Sequence, residues 1–248
     1  MSRCVRRLIP FAAALVVLGA AGIAVASATD PQVKIGPVDQ AWADSIVLTS
    51  ADLGKGWAID RTGGVAGGDE SSGDSTWCPE GTPSEPDLTI TGGSASPDFK
   101  RKDDSSVSSY AFVWQTAEQA QADWERTQAT MPALIDCFAS LFENVSTHAV
   151  TASVTSRGVV PIPAVAPRTA AYRIKILFKP GVRGKKKKRK SPPWVVSMDF
   201  ILLGNGRTSV FLLMNSAGGR TFSPAIEQSL AAKLAARLTP DPAATRTP

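Results

Sequence analysis

Residues Trp194–Met214 read WVVSMDFILLGNGRTSVFLLM, and the pattern in this stretch decides the fold. From Val195 to Leu203 the side chains alternate, with Val196, Met198, Phe200 and Leu202 on one face, which is the two-residue period of a strand. Gly204-Asn205-Gly206 then supplies a tight turn, because Asn and Gly tolerate the positive φ that a short hairpin needs. Thr208–Met214 returns as the antiparallel partner. Upstream, Tyr172–Phe178 alternates in the same way (Tyr172, Ile174, Ile176, Phe178), with residues 180–193 forming a long loop before the hairpin. Downstream, Ser223-Pro224 opens a helix, a cap residue followed by proline at the first helical position. Ile226, Leu230, Leu234 and Leu238 then recur every four residues on one side of it.

Working toward the N-terminus, Val145–Thr155 alternates, and Pro161, Pro163 and Pro167 stiffen the connector that follows. Val107–Trp114 is another strand, with Tyr110, Phe112 and Trp114 on one face. Thr116 and Gln119 stand at capping-box spacing, and a helix follows with Ala120, Trp124, Gln128 and Met131 along one stripe. Pro132 lacks a backbone donor and is expected to kink or restart that helix; Ile135, Phe138, Leu141 and Phe142 continue the apolar side. A short strand is expected at Asp87–Thr91, a short extended piece at Gly56-Trp57, and an amphipathic helix at Val38–Leu48 with Val38, Trp42, Ile46 and Val47 inward. Residues 62–75, rich in Gly, Ser and Asp, read as a flexible loop, and residues 239–248 as a disordered tail. The order predicts an α+β fold: a mainly antiparallel sheet of about five to six strands, helices packed on one face, two layers. One domain spans residues 29–238.

Residues 1–28 have the three parts of a secretory signal: Arg3, Arg6 and Arg7, an uncharged apolar run from Leu8 to Val25, and small residues ending at Ala28. Cleavage is expected after Ala28, with Ala26 second; an uncleaved membrane anchor is the alternative. The expected location is therefore extracellular. Three of the 27 basic residues belong to this segment, which leaves 24 against 22 acidic ones. Seven of those 24 are Arg183, Lys185, Lys186, Lys187, Lys188, Arg189 and Lys190, so the basic character of the chain is one segment rather than a surface. That pattern excludes a general nucleic-acid-binding fold, whose cations recur along several elements. Cys78 and Cys137 remain after removal of the signal with Cys4, and an even count in an exported chain reads as a disulfide. Closing a loop of this size stabilises a fold by roughly 4 kcal/mol in the chain-entropy view.

Candidate chemistry is sparse. With His148 as the single histidine, on a strand face with small and apolar neighbours, Ser-His-Asp and Cys-His arrangements lack a partner, and no metal or other cofactor is expected. Asp69, Glu70 and Asp74 miss the ligand order of a calcium loop. Asp103-Asp104, beside Lys100-Arg101-Lys102, reads as a solvated turn. Asp199 is the one carboxylate whose place on a strand suits a cell-wall hydrolase, which needs two opposed carboxylates about 5–10 Å apart; the competing reading is a solvent-facing strand position. The cations of Arg183–Lys190 repel one another and belong in water. They are either a solvated insertion or an adhesive for a polyanion, an anionic membrane surface or an acidic cell-wall polymer.

The segments LTSADLGKGW (48–57), YAFVW (110–114), TAEQAQADWERTQATMPALIDC (116–137) and SLAAKLAARL (229–238) together resemble actinobacterial exported sensor-like domains. The named relative in that group is the extracellular sensor domain of the mycobacterial serine/threonine kinase H type, with related secreted proteins and lipoproteins. The resemblance implies an α+β fold with an antiparallel sheet and a cleft for an unknown ligand. The kinase members have two disulfides, whereas the mature chain has cysteines for one, and no functional residues carry over. The expected function is an exported, non-enzymatic, monomeric ligand-binding domain of the sensor-like kind. The alternatives are adhesion through the basic segment and a carboxylate-dependent hydrolase.

The intact mass of protein recovered from culture medium tests two of these expectations. It should match a chain starting at Thr29, and reduction should add two hydrogens as the Cys78–Cys137 bridge opens. A chain retaining Met1, or two free thiols, would contradict them.

Overall fold

The computed structural model describes residues 31–61, 63, 85–143, 150–180, 192–217 and 221–239. Within them the strands are β1 (Gln32–Val33), β2 (Trp57–Arg61), β3 (Thr89–Ala95), β4 (Asp98–Arg101), β5 (Ser106–Trp114), β6 (Val150–Val159), β7 (Arg168–Pro180), β8 (Trp194–Asn205) and β9 (Thr208–Ser216). The helices are α1 (Pro37–Ile46), α2 (Ala117–Glu143) and α3 (Pro224–Arg237), with a 3-10 turn at Ser50–Asp52. The fold is α+β. One sheet runs in the order β1-β3-β5-β9-β8-β7-β6, and β4 also pairs with β5 and carries β2 beyond it. All pairings are antiparallel except β1 on β3.

Two details depart from the sequence reading. The described sheet has nine strands rather than five to six, because β1, β2 and β4 are short and draw their order from the strands they join. The helices cover both faces, giving three layers rather than two. Successive side chains of a strand point to opposite faces, and β8 is apolar on both: Phe200 and Leu202 pack with Met131, Ile135 and Phe142 of α2. Ile201 and Leu203 pack with Trp42, Ala43 and Ile46 of α1 and with Leu230, Ala231 and Leu234 of α3. β9 divides likewise, Leu213 toward α2 and Val210, Leu212 and Met214 toward α1 and α3. A single helical layer would leave one of these apolar rows in water.

The turn between β8 and β9 sits one residue later than the Asn-Gly pair suggests. Asn205 pairs with Thr208, so Gly206 and Arg207 are the central residues. Gly206 takes φ +52°, matching a type II′ hairpin with glycine first. On the other side of β5, Gly92 lets α1 lie directly on β3. A Cβ there would stand 2.3 Å from the Asp39 carbonyl oxygen, and since the clash is with backbone, alanine cannot be accommodated by a rotamer change.

Pro132 does not restart α2, which is continuous from Ala117 to Glu143. The proline lies on the exposed side, where water can take the Gln128 carbonyl that loses its amide partner. Ser223 caps α3 as expected, its hydroxyl accepting from the Ile226 amide.

Leu212, fully buried at the sheet centre, measures the core. Leu212→Ala should cost about 2–5 kcal/mol in urea denaturation. Val159→Ala, on a side chain 74% exposed, should change stability by less than about 0.5 kcal/mol.

Candidate functional site

Most of the residues expected from sequence to act lie outside the described residues: Ala28, Cys78, His148, Arg183, Lys185, Lys186, Lys187, Lys188, Arg189 and Lys190. So do Asp69, Glu70 and Asp74. Cys137 sits on α2, partly buried. The ends of the basic segment are described. β7 and β8 are paired as far as Phe178 and Trp194, whose rings stack at 5.3 Å with 10° between planes. Along the chain the segment lies between these two paired strands.

Asp199 is not solvent-facing. It is 2% exposed, on the side of β8 that also carries Ile201 and Leu203, and that side is covered. Arg173 stands directly opposite on β7. Its Nε donates to Asp199 Oδ1 and its Nη2 donates to Glu227 Oε1 of α3 at 2.5 Å. The Ser197 hydroxyl lies 3.5 Å from the second Asp199 oxygen. Burial pushes the Asp199 carboxyl above its ordinary range, opposed by the Arg173 guanidinium. Glu227 is raised by burial and then by the neighbouring Asp199 charge, again against Arg173. One guanidinium clamped between two carboxylates joins β7, β8 and α3. It engages one oxygen of each carboxylate, Asp199 Oδ1 and Glu227 Oε1.

A second buried group was not foreseen. Glu85, just ahead of β3, is 6% exposed, and its carboxyl hydrogen-bonds the Asp123 carboxyl of α2. Its Oε1 is buried with no hydrogen-bond partner. Asp123 is better supplied. Its Oδ2 accepts from the Ser209 hydroxyl at 3.0 Å, and Ser209 in turn accepts from the Trp114 indole at 3.2 Å. Thr127 donates to its Oδ1 at 3.4 Å. Burial, with the Asp123 charge next to it, pushes the Glu85 carboxyl up to about 8. Burial also raises Asp123, which the Ser209 hydroxyl and the Arg168 charge pull back down. Two carboxyl groups in contact cannot both ionise cheaply, so the pair holds one proton.

The entry to α2 positions this pair. Thr116 Oγ1 caps the Gln119 amide at 3.2 Å. The Gln119 side chain, instead of closing a capping box, accepts from the Thr89 amide at 3.0 Å. Arg126, one turn past Asp123, forks onto both oxygens of Asp87 at 2.7 Å. Among the described residues no group of three or more His, Cys, Asp or Glu is placed to hold a metal ion. No described helix is long and apolar enough to cross a membrane.

Arg173→Met leaves two buried carboxylates without their cation, and should cost about 3–5 kcal/mol at neutral pH. Both carboxyls are raised in the fold, so their unfavourable charge is shed on acidification. The variant should regain part of its stability relative to wild type toward pH 5 in urea melts. A loss below about 1 kcal/mol would mean that the triad is not the tie described.

No protein family and no curated protein matches the chain. Among solved structures it is similar to the extracellular domain of PknH from Mycobacterium tuberculosis. The two share 14% identity over 82% of this chain and 97% of that one, with a TM-score of 0.37.

Proposed function

We propose that the mature chain is an exported, non-catalytic binding domain of the sensor-like kind, acting on the outer side of the membrane. The secretory pattern of residues 1–28 supports export. The state of Asp199 favours binding over catalysis. The carboxylate that suited a cell-wall hydrolase is 2% exposed and held by Arg173. A glycosidase pair needs its two carboxyls apart and open to the sugar. Asp199 and Glu227 are instead bridged by one guanidinium, and Glu85 and Asp123 are in contact with each other.

A second reading, adhesion to an anionic membrane surface or an acidic cell-wall polymer, draws on the β7–β8 hairpin. In the chain, the cations of Arg183–Lys190 lie between β7 and β8, whose last paired residues are the stacked Phe178 and Trp194. Each lysine near an anionic surface contributes about 1 kcal/mol, screened over about 8 Å at physiological ionic strength.

Co-sedimentation separates the readings. Mature protein is mixed with purified peptidoglycan, with phosphatidylglycerol vesicles and with neutral vesicles, at low and high salt, and released sugar is assayed. Salt-resistant retention on peptidoglycan without sugar release, unchanged when residues 185–190 are replaced by Gly and Ser, supports the binding domain. Binding that collapses with salt and with that replacement, and is equally lost in a charge-matched control carrying the lysines elsewhere, supports adhesion through this segment. Sugar release abolished by Asp199→Asn would overturn both.

A further inference from the structure

The Glu85–Asp123 contact lies where an incoming segment meets a helix. Glu85 belongs to the stretch that leads into β3, and three contacts fasten that stretch to α2. Asp87 receives the Arg126 fork, the Thr89 amide reaches Gln119, and Glu85 meets Asp123. The first contact is at the surface, with the Asp87 side chain 60% exposed, where an ion pair is worth little. The second is a single neutral hydrogen bond. The third is buried and exists only while one proton sits between two acids.

The charges around the pair do not replace that proton. From α2 the facing groups are Asp123 and Arg126, from the incoming segment Asp87, and from β7 Arg168. Arg126 already holds Asp87 with both terminal nitrogens. Arg168 donates to the carbonyls of Gly206 and Thr208 at 2.9 and 3.2 Å and lies on the Asp123 side. β9 supplies only the neutral Ser209 hydroxyl. A second negative charge on the pair would meet the first in a dry site, with Glu85 Oε1 having no donor to receive it.

We propose that Glu85 and Asp123 form a proton-held latch that fastens the segment entering β3 onto α2, and that loss of the shared proton in alkaline medium opens it. Protonation is strongest in the closed state, so the sign follows directly. The Glu85 carboxyl is raised from 4.5 to about 8 on closing. Closure is therefore fully favoured below the lower value and is lost as the pH rises through the upper one. Linkage of that size weakens closure roughly fifty-fold between about pH 6 and pH 8.

The test uses the full mature chain and two readouts. In wild type, the Glu85 side-chain carboxyl 13C resonance should titrate near pH 8. Hydrogen-exchange protection at Leu88 and Thr89, corrected for intrinsic exchange, should fall roughly fifty-fold from about pH 6 to pH 8. Protection at Leu212 in the core should hold. Glu85→Gln keeps a donor toward Asp123 but cannot ionise, so protection should become flat with pH. If that variant does not fold, Asp123→Asn removes the opposing charge and should make the fall clearly shallower, the burial of Glu85 alone keeping part of it. A Glu85 resonance titrating near 4.5, flat wild-type protection, an equal loss at Leu212, a pH slope retained in Glu85→Gln, or a full wild-type slope in Asp123→Asn would each overturn the latch.

Discussion

The central strands have apolar side chains on both sides of the pleat, and the rest of the architecture answers to that. Ile201 and Leu203 on one side of β8, and Phe200 and Leu202 on the other, are buried. Each buried Leu, Ile or Phe contributes about 1.5–3 kcal/mol only while its face stays dry. The long α2 covers one face, and α1 with α3 covers the other. The two shorter helices come from opposite ends of the chain, so covering this face also draws the termini of the domain together.

Arginines on the seams hold that cover in register. Arg207, in the β8–β9 turn, reaches Asp39 of α1 with both terminal nitrogens at 3.0 and 3.1 Å and lies 5.8 Å over the Trp42 ring. Arg237, in the last turn of α3, donates to the Ile46 and Val47 carbonyls at 3.2 and 2.9 Å. It thereby satisfies orphan acceptors at the end of α1. Its other nitrogen meets Asp52 at 2.5 Å. Burial alone would raise the Asp52 carboxyl, but Arg237 and the Thr49 donors bring it below its ordinary value. With Arg173, the same residue type ties α1 to the hairpin, α3 to α1 and α3 to the sheet. The planar, multiply donating guanidinium suits such places better than lysine.

The hairpin at Trp194–Met214, β5, β7 and all three helices were legible because their patterns repeat over several turns or pleats. The third layer was written less plainly. FILL at 200–203 and FLLM at 211–214 are continuous apolar runs, and a continuous run shows burial without saying how many faces are covered. Ser197 and Asp199 made the second face of β8 look wet, and only the cross-strand register that sets Arg173 opposite Asp199 reveals otherwise. β4 (DFKR) buries only Phe99 and has no period of its own. The Glu85–Asp123 pair joins a loop to a helix across distant parts of the chain, and neither residue stands in a local pattern. The apolar stripe of Ala120, Trp124, Gln128 and Met131 drew the reading of α2 away from Asp123, although the spacing of Asp123 from Gln119 and Thr127 places all three along one side of the helix.

The connectivity also has a temporal consequence. β6, β7, β8 and β9 follow one another both along the chain and across the sheet, so this meander can zip up from neighbour to neighbour. β5 cannot, because pairing Val107 with Met214 must first close a loop containing α2 and the whole meander. Such closures are entropically expensive, and topologies that depend on them fold slowly. A chain emerging N-terminus first therefore presents β5 long before its partner exists. Ser106, Ser108 and Ser109 dilute the first half of the strand, but Tyr110–Trp114 is an unbroken apolar run, so until β9 arrives that half is a template other chains could pair with.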